Sequence, residues 1–267
     1  MSAPAAVRRT GAARTRELVR ASAVTQSRVQ THATLVLVGC VQPLAFFLVV
    51  HLVDPTGTRL DASRSLLGCG LLALWGCAVW QAGLILREEM WQGTLASIVV
   101  RPAPLGVVLA GKALGTTLRA SALIVVTVAV LSWVTRTSLA PASPVLFAVV
   151  VVAAVIGSFV LGLLLSCVFL LTTATFRVAE ALLYPVFILG GLLVPVELLP
   201  AVVRPLADGI SLHWAAELLV DASTTGTTDA RDWGFFLLLT SLYGLAARWA
   251  FRRVVDRSRR LGTLELI

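Results

Sequence analysis

Eight consecutive residues, Gly106-Val-Val-Leu-Ala-Gly111-Lys112-Ala113, carry the first seven positions of a phosphate-binding loop. In such a loop backbone amides cradle the phosphates, the lysine reaches the outer ones, and a Ser or Thr after the lysine holds magnesium. Ala113 occupies that last position and cannot ligate a metal. No strand-like stretch precedes Gly106, and an apolar run of membrane-spanning length follows Lys112. The chain is therefore expected to supply no nucleotide chemistry of its own.

Other reactive side chains do not assemble into a catalytic or metal-binding set. His32, His51 and His213 fall in separate segments, and the nearest carboxylate partner is Asp54, three residues after His51. Interfacial hydrogen bonding accounts for that pair. Cys40, Cys69, Cys77 and Cys167 lie in apolar runs, with no C-x-x-C and no histidine at ligand spacing, which is the pattern of small buried hydrophobes. Serines occur without a G-x-S-x-G elbow, and no carboxylates pair in the middle of an apolar run. Covalent, metal and acid–base catalysis are not expected.

Polar residues inside apolar runs are more informative, because desolvating them is costly. Arg119 lies about two turns, roughly 10 Å, into one such run. It either snorkels to headgroups or pairs with Glu180. Gln42, followed by Pro43, and Gln81 could face a substrate path or satisfy backbone groups freed by the proline kink. Ala154, Ser158, Gly162 and Ser166 recur every four residues and form a small-residue stripe, suited to close packing within the chain or between subunits. Gly111-x-x-x-Gly115 is a second, weaker instance.

These residues sit in a chain of 267 residues that is 58% apolar and only 13% charged, with a mean hydropathy of +0.90. Soluble domains hold roughly 25% charged residues, so an ordinary soluble enzyme is excluded. The net charge is +8, and 21 of the 22 basic residues are arginines. They cluster at the ends of apolar runs, which fits anionic lipid headgroups and membrane topology; no nucleic-acid partner is expected.

Apolar runs near 33 to 53, 65 to 86, 113 to 134, 145 to 172, 178 to 198 and 233 to 251 each approach the roughly 20 residues needed to cross a bilayer. They predict an all-α integral membrane protein with six spans. Residues 1–32 form a basic N-terminal segment without the apolar core of a cleavable leader, 33–251 the transmembrane domain, and 252–267 a basic tail. With both termini in the cytoplasm, 17 basic residues fall inside and 5 outside. That split predicts both termini inside a plasma membrane, expected to be bacterial.

Two connections exceed a turn. The inner one, from Arg87 to about Lys112, includes an amphipathic stretch closed by Pro102 and Pro104, and predicts a surface helix over Arg87 to Ile98. The outer one, Pro195 to Asp232, mixes apolar residues with Pro200, Pro205 and His213-Trp214, and predicts a segment that dips back toward the membrane.

This layout resembles the permease subunits of type-2 ABC exporters, a family that includes drug, antibiotic and glycan exporters. The resemblance covers nearly the whole chain. It is sharpest at Glu89-x-x-x-Gly93-Thr94-Leu95 with Pro102 and Gly111-Lys112 downstream, and again at Gly190-Gly191-Leu-Leu-Val-Pro195, Leu199-Pro200 and Leu212-His213-Trp214. The chain departs at Ala96, where the family often has Glu, and at Ser211-Leu212, where it often has proline. The resemblance implies an N-terminal interfacial helix, a cytoplasmic coupling helix between spans two and three, and a re-entrant outer hairpin between spans five and six. It implies ATP and magnesium on a separate cytoplasmic ATPase subunit, no cofactor on this chain, and a second permease copy or a paralogue as partner. Arg87, Glu88, Glu89, Gly93, Thr94 and Leu95 are the residues it assigns to coupling.

Export of an amphipathic small molecule is the leading expectation, with glycan or lipid-linked polymer export as the nearer rival. Only two tyrosines and seven tryptophans are available to line a sugar channel, which favours the small molecule. A membrane-embedded enzyme would need clustered acids, histidines or a metal site. A non-transporting anchor would behave normally without the Glu89 to Leu95 segment.

Overall fold

A computed structural model describes residues 11–29, 32–53, 62–94, 105–137, 141–172, 174–190 and 204–261. Among these residues every regular element is helical. An apolar chain in lipid must satisfy its backbone internally, and helices do so within each segment.

In chain order the elements are α1 (Gly11–Val29), α2 (His32–Val36), a π-helical turn (Leu37–Val41), α3 (Gln42–Val53), α4 (Ala62–Cys77), a second π-helical turn (Ala78–Ala82) and α5 (Ile85–Trp91). There follow α6 (Leu105–Thr135), α7 (Pro144–Leu171), α8 (Thr175–Leu189), α9 (Arg204–Asp208), α10 (Ser211–Thr224) and α11 (Ala230–Leu261).

Among the described residues, five helical stretches are long and apolar enough to cross a membrane: Ala33–Leu52, Ser63–Trp91, Gly106–Thr135, Pro144–Leu171 and Ala230–Val254. They correspond to the expected spans one, two, three, four and six. The expected fifth span is described only as α8, with 15 helical residues; Pro195 and Pro200 lie outside the described residues. The last helix passes the expected boundary at 251 and continues to Leu261.

The second span is the hub. Its most apolar stretch is 94% buried, against 17% for the last span. Leu71, Leu72, Trp75 and Val79 join one core with Ala154, Leu161 and Leu165 of α7, Trp214 and Leu218 of α10, and Phe236 of α11. At one end of the bundle Ile85, Leu86, Leu109, Ala113, Leu170, Ala250 and Val254 form a second cluster; we call this the Lys112 end. The outer helices turn apolar stripes away from the protein. Leu238, Leu242, Leu245 and Trp249 on α11, and Val145, Val149, Val152 and Ile156 on α7, are all at least half exposed at helical spacing, as lipid-facing residues should be.

One expectation is corrected. A single surface helix from Arg87 to Ile98 does not form, because Arg87–Trp91 are the last turn of the second span and the helix stops there. Gly93 has φ +67°, its N–H donates to the Met90 carbonyl at 3.1 Å, and the Thr94 N–H donates to the Glu89 carbonyl at 3.0 Å. This pair of bonds around a left-handed glycine is a Schellman cap, which ends a helix by satisfying its last carbonyls. A Cβ on Gly93 would meet nothing within 4 Å, so the turn, and not a close approach, requires glycine here. Leu95 to Pro104 lie outside the described residues.

Candidate functional site

Glu89 is on the inward face of the final turn of the second span and is 6% exposed; Lys112, two turns into α6, is 7% exposed. The Lys112 ammonium donates to Glu89 Oε1 in a buried ion pair. Glu89 Oε2 accepts from Thr94 Oγ1 at 2.6 Å. Both carboxylate oxygens are thereby satisfied, which a buried charge requires. The residues that the cap and the pair bring together are Glu89, Gly93, Thr94 and Lys112. The chain leaves this cluster at Thr94 and returns at Leu105, so the ion pair joins the two stems of the 95–104 segment.

Gly106 to Lys112 are helical. Their glycines serve packing: a Cβ on Gly111 would lie 1.9 Å from Ser22 Oγ and 2.7 Å from the Val19 carbonyl, and one on Gly115 would lie 2.9 Å from Ala23. Gly111-x-x-x-Gly115 is therefore the groove in which α1 crosses α6. Ser22 is buried there, its hydroxyl turned to the Leu18 carbonyl at 2.8 Å.

Arg87 is on a different face from Glu89. Its guanidinium carbon lies 5.8 Å from the centre of the Trp91 ring. Trp91 stacks on Phe176 of α8 at 5.8 Å, and Phe176 stacks on Trp80 at 6.3 Å. Thr175 sets Phe176 in place, its hydroxyl donating to the carbonyls of Phe169 and Thr172 at 3.0 and 3.1 Å. Glu88, half-buried, feels Glu89 and Lys112 electrostatically.

Within the bundle, Gln42 and Gln81 join helices. A Cβ on Gly76 would fall 2.6 Å from Gln42 Oε1, and Gln81 Nε2 donates to the Thr34 carbonyl at 3.2 Å. These two contacts set the π turns of spans one and two at the same level. Pro43 has no N–H to give the carbonyl of Gly39, four residues earlier; Thr127 of α6 donates to that carbonyl at 2.9 Å instead. Arg119 Nε donates to the Gly115 carbonyl of its own helix at 3.1 Å, while Glu180 is exposed on α8.

The small-residue stripe of α7 packs within the chain. Ala154, Ser158, Gly162 and Ser166 are all buried; Ser158 Oγ donates to the Leu74 carbonyl at 2.9 Å, and a Cβ on Gly162 would lie 2.5 Å from the Ala82 methyl. The face serves contact with the second span.

At the opposite end, α10 is buried along Ser211 to Ala216. Trp214 Nε1 donates to the Asp208 carbonyl at 2.9 Å, and its ring stacks on Phe235 at 4.5 Å. His213 Nε2 lies 4.0 Å from Asp208 Oδ1. Arg64, at the start of the second span, pairs with Glu217 at 2.7 Å, which fastens α10 to the hub.

Sequence reasoning missed the Glu89–Lys112 pair, although Lys112 is the only lysine in the chain. It also missed Thr127, the Arg64–Glu217 bridge and the Trp80–Phe176–Trp91 stack. Pro43 does announce a freed carbonyl at Gly39, but nothing local names its donor. Arg64 and Glu217 are 153 positions apart, and nothing local to either announces the other.

No curated protein matches the chain. The family model described as ABC-2 type transporter matches residues 21–222, from α1 to α10. That match spans more than half of the 267 residues, and the bundle supplies the apolar helices of a multi-pass membrane subunit. The chain belongs to the ABC-2 type transporter family.

Proposed function

We propose that the chain is the permease of an ATP-driven exporter, with its Lys112 end and both termini in the cytoplasm. A separate ABC ATPase would hydrolyse ATP with its magnesium. A second permease copy or a paralogue would complete the path, and the cargo would be an amphipathic small molecule. The division of basic residues supports the orientation. The family match supports the ATPase partner.

The observation that carries the coupling reading is the buried Glu89–Lys112 pair at the base of the 95–104 segment. Movement passes from one site to another through an element with rigid, discrete arrangements. A segment whose two stems are locked by one ion pair moves with the ends of spans two and three. An ATPase that bears on Leu95 and its neighbours would therefore move both spans together, with Glu89, Lys112, Gly93 and Thr94 as the positioning residues.

The test uses the assembled complex in proteoliposomes. Compared with wild type at equal membrane levels, Glu89→Ala and Gly93→Val should lower both export and substrate-stimulated ATP hydrolysis. Full export by both variants at equal membrane levels would remove the coupling assignment.

A further inference from the structure

Arg87 is unusually placed for a permanently charged side chain. Nε and Nη1 are buried without a hydrogen-bond acceptor, and among the described residues its one resolved interaction is the Trp91 ring. A cation–π contact does not replace acceptors for charged N–H groups. The three rings beside it form a ladder, Trp80–Phe176–Trp91, two of whose members remain open: Trp91 is 53% exposed and Phe176 51%. The ladder therefore presents an apolar surface about two rings long next to a cation that is paired with no carboxylate among the described residues.

Nearby charges leave that role to Arg87. Lys112 neutralises Glu89, Glu88 is within electrostatic reach of both Glu89 and Lys112, and on α8 exposed Arg177 accompanies exposed Glu180. A planar guanidinium takes a phosphate, carboxylate or sulfonate by two parallel hydrogen bonds. Flat or aliphatic bodies stack on indole and phenyl faces.

We propose that Arg87, Trp91, Phe176 and Trp80 form a receiving site for an anionic amphiphile, with the acid group on Arg87 and the apolar body along the Trp91–Phe176 faces. The inference rests on the export reading only in taking this end as the side from which cargo is loaded. Lipid headgroups and exported molecules share this chemistry, and separate arms of the experiment tell them apart.

Full-length permease is reconstituted in phosphatidylcholine nanodiscs, and tryptophan fluorescence is followed. In one arm the probe is water-soluble brominated naphthoate, with a brominated naphthyl trimethylammonium as the cationic control. In the other, brominated phosphatidylglycerol replaces part of the bilayer. Saturable quenching by the anion that weakens at least tenfold in Arg87→Gln, recovers partly in Arg87→Lys and loses its Trp91 component in Trp91→Phe is the expected result. Quenching in the soluble arm identifies a loaded amphiphile, and quenching confined to the lipid arm identifies a headgroup; either supports the site. Equal affinity for anion and cation, or unchanged anion affinity in Arg87→Gln with normal elution and thermal stability, would overturn it. No arm measures export, so failure here leaves the coupling reading standing, and failure of coupling leaves this site standing.

Discussion

Breaking the Glu89–Lys112 pair one partner at a time should cost far more than removing both. Each group is more than nine-tenths buried, so Glu89→Leu strands an ammonium and Lys112→Met strands a carboxylate. Stranding a buried charge costs about 3–5 kcal/mol, equivalent to roughly two to nearly four powers of ten in a folding equilibrium. The Thr94 hydroxyl, which serves the second oxygen at 2.6 Å, adds about 1 kcal/mol that Thr94→Val would expose. The double variant carries no charge, and replacing a buried pair by apolar side chains of similar volume is neutral or stabilising by about 1–4 kcal/mol. Thermal and denaturant unfolding of the purified permease in detergent should therefore show two weakened single variants and a double variant at or above wild type. Export should not follow stability, because the double variant keeps the packing but loses the ionic lock between the two stems. Additive losses in the double variant would refute the pairing. A double variant that is stable and fully active would refute its role in coupling.

Three further outcomes are expected. In a cysteine-free background, a probe outside sealed cells should label a cysteine at Thr225 and spare one at Arg257; labelling at Arg257 would reverse the orientation. Gly111→Leu should drive α1 from α6, since even its Cβ would overlap Ser22 Oγ and the Val19 carbonyl, at a cost of about 1–3 kcal/mol. Limited proteolysis should then cut within residues 11–29, whereas Gly234→Ala, which meets nothing within 4 Å, should leave the digest unchanged. Thr127→Val should destabilise the bundle by about 1–3 kcal/mol by orphaning the Gly39 carbonyl, while Thr127→Ser should match wild type in unfolding midpoint.

The helices of spans one, two, three, four and six were legible from apolar run length alone, because lipid leaves helices as the main way to satisfy an isolated backbone segment; α1 and α10, which lie outside those runs, were not. Ends were legible only where a residue dictates them, as at Pro144, the first residue of α7. The second span extends to Trp91 because the charged residues Arg87, Glu88 and Glu89 remain helical, and hydropathy stops counting them too early. The glycine that ends it was in view, but helical periodicity continues across Gly93 in the sequence and hides the left-handed turn. For the site, Glu89 and the Gly111-Lys112 dipeptide were both noticed, and their juxtaposition was not. Pairing across 23 residues depends on how two helices rotate about their own axes. The small-residue stripe stated that something packs closely on α7, and only the packed structure names the second span as its partner.

The level π turns in spans one and two bear on how such chains vary in length. A π turn holds one residue more than the α-helix it interrupts, while the halves on either side keep their faces. Deleting one residue between 37 and 41, or between 78 and 82, would restore plain α-helix without rotating the flanking halves against their neighbours. An insertion or deletion inside a membrane span normally turns half of it by about 100° and exposes its buried face. These two places are the exceptions, so span-length variation among related sequences should concentrate there, with Pro43 and Thr127 changing together when the first turn closes.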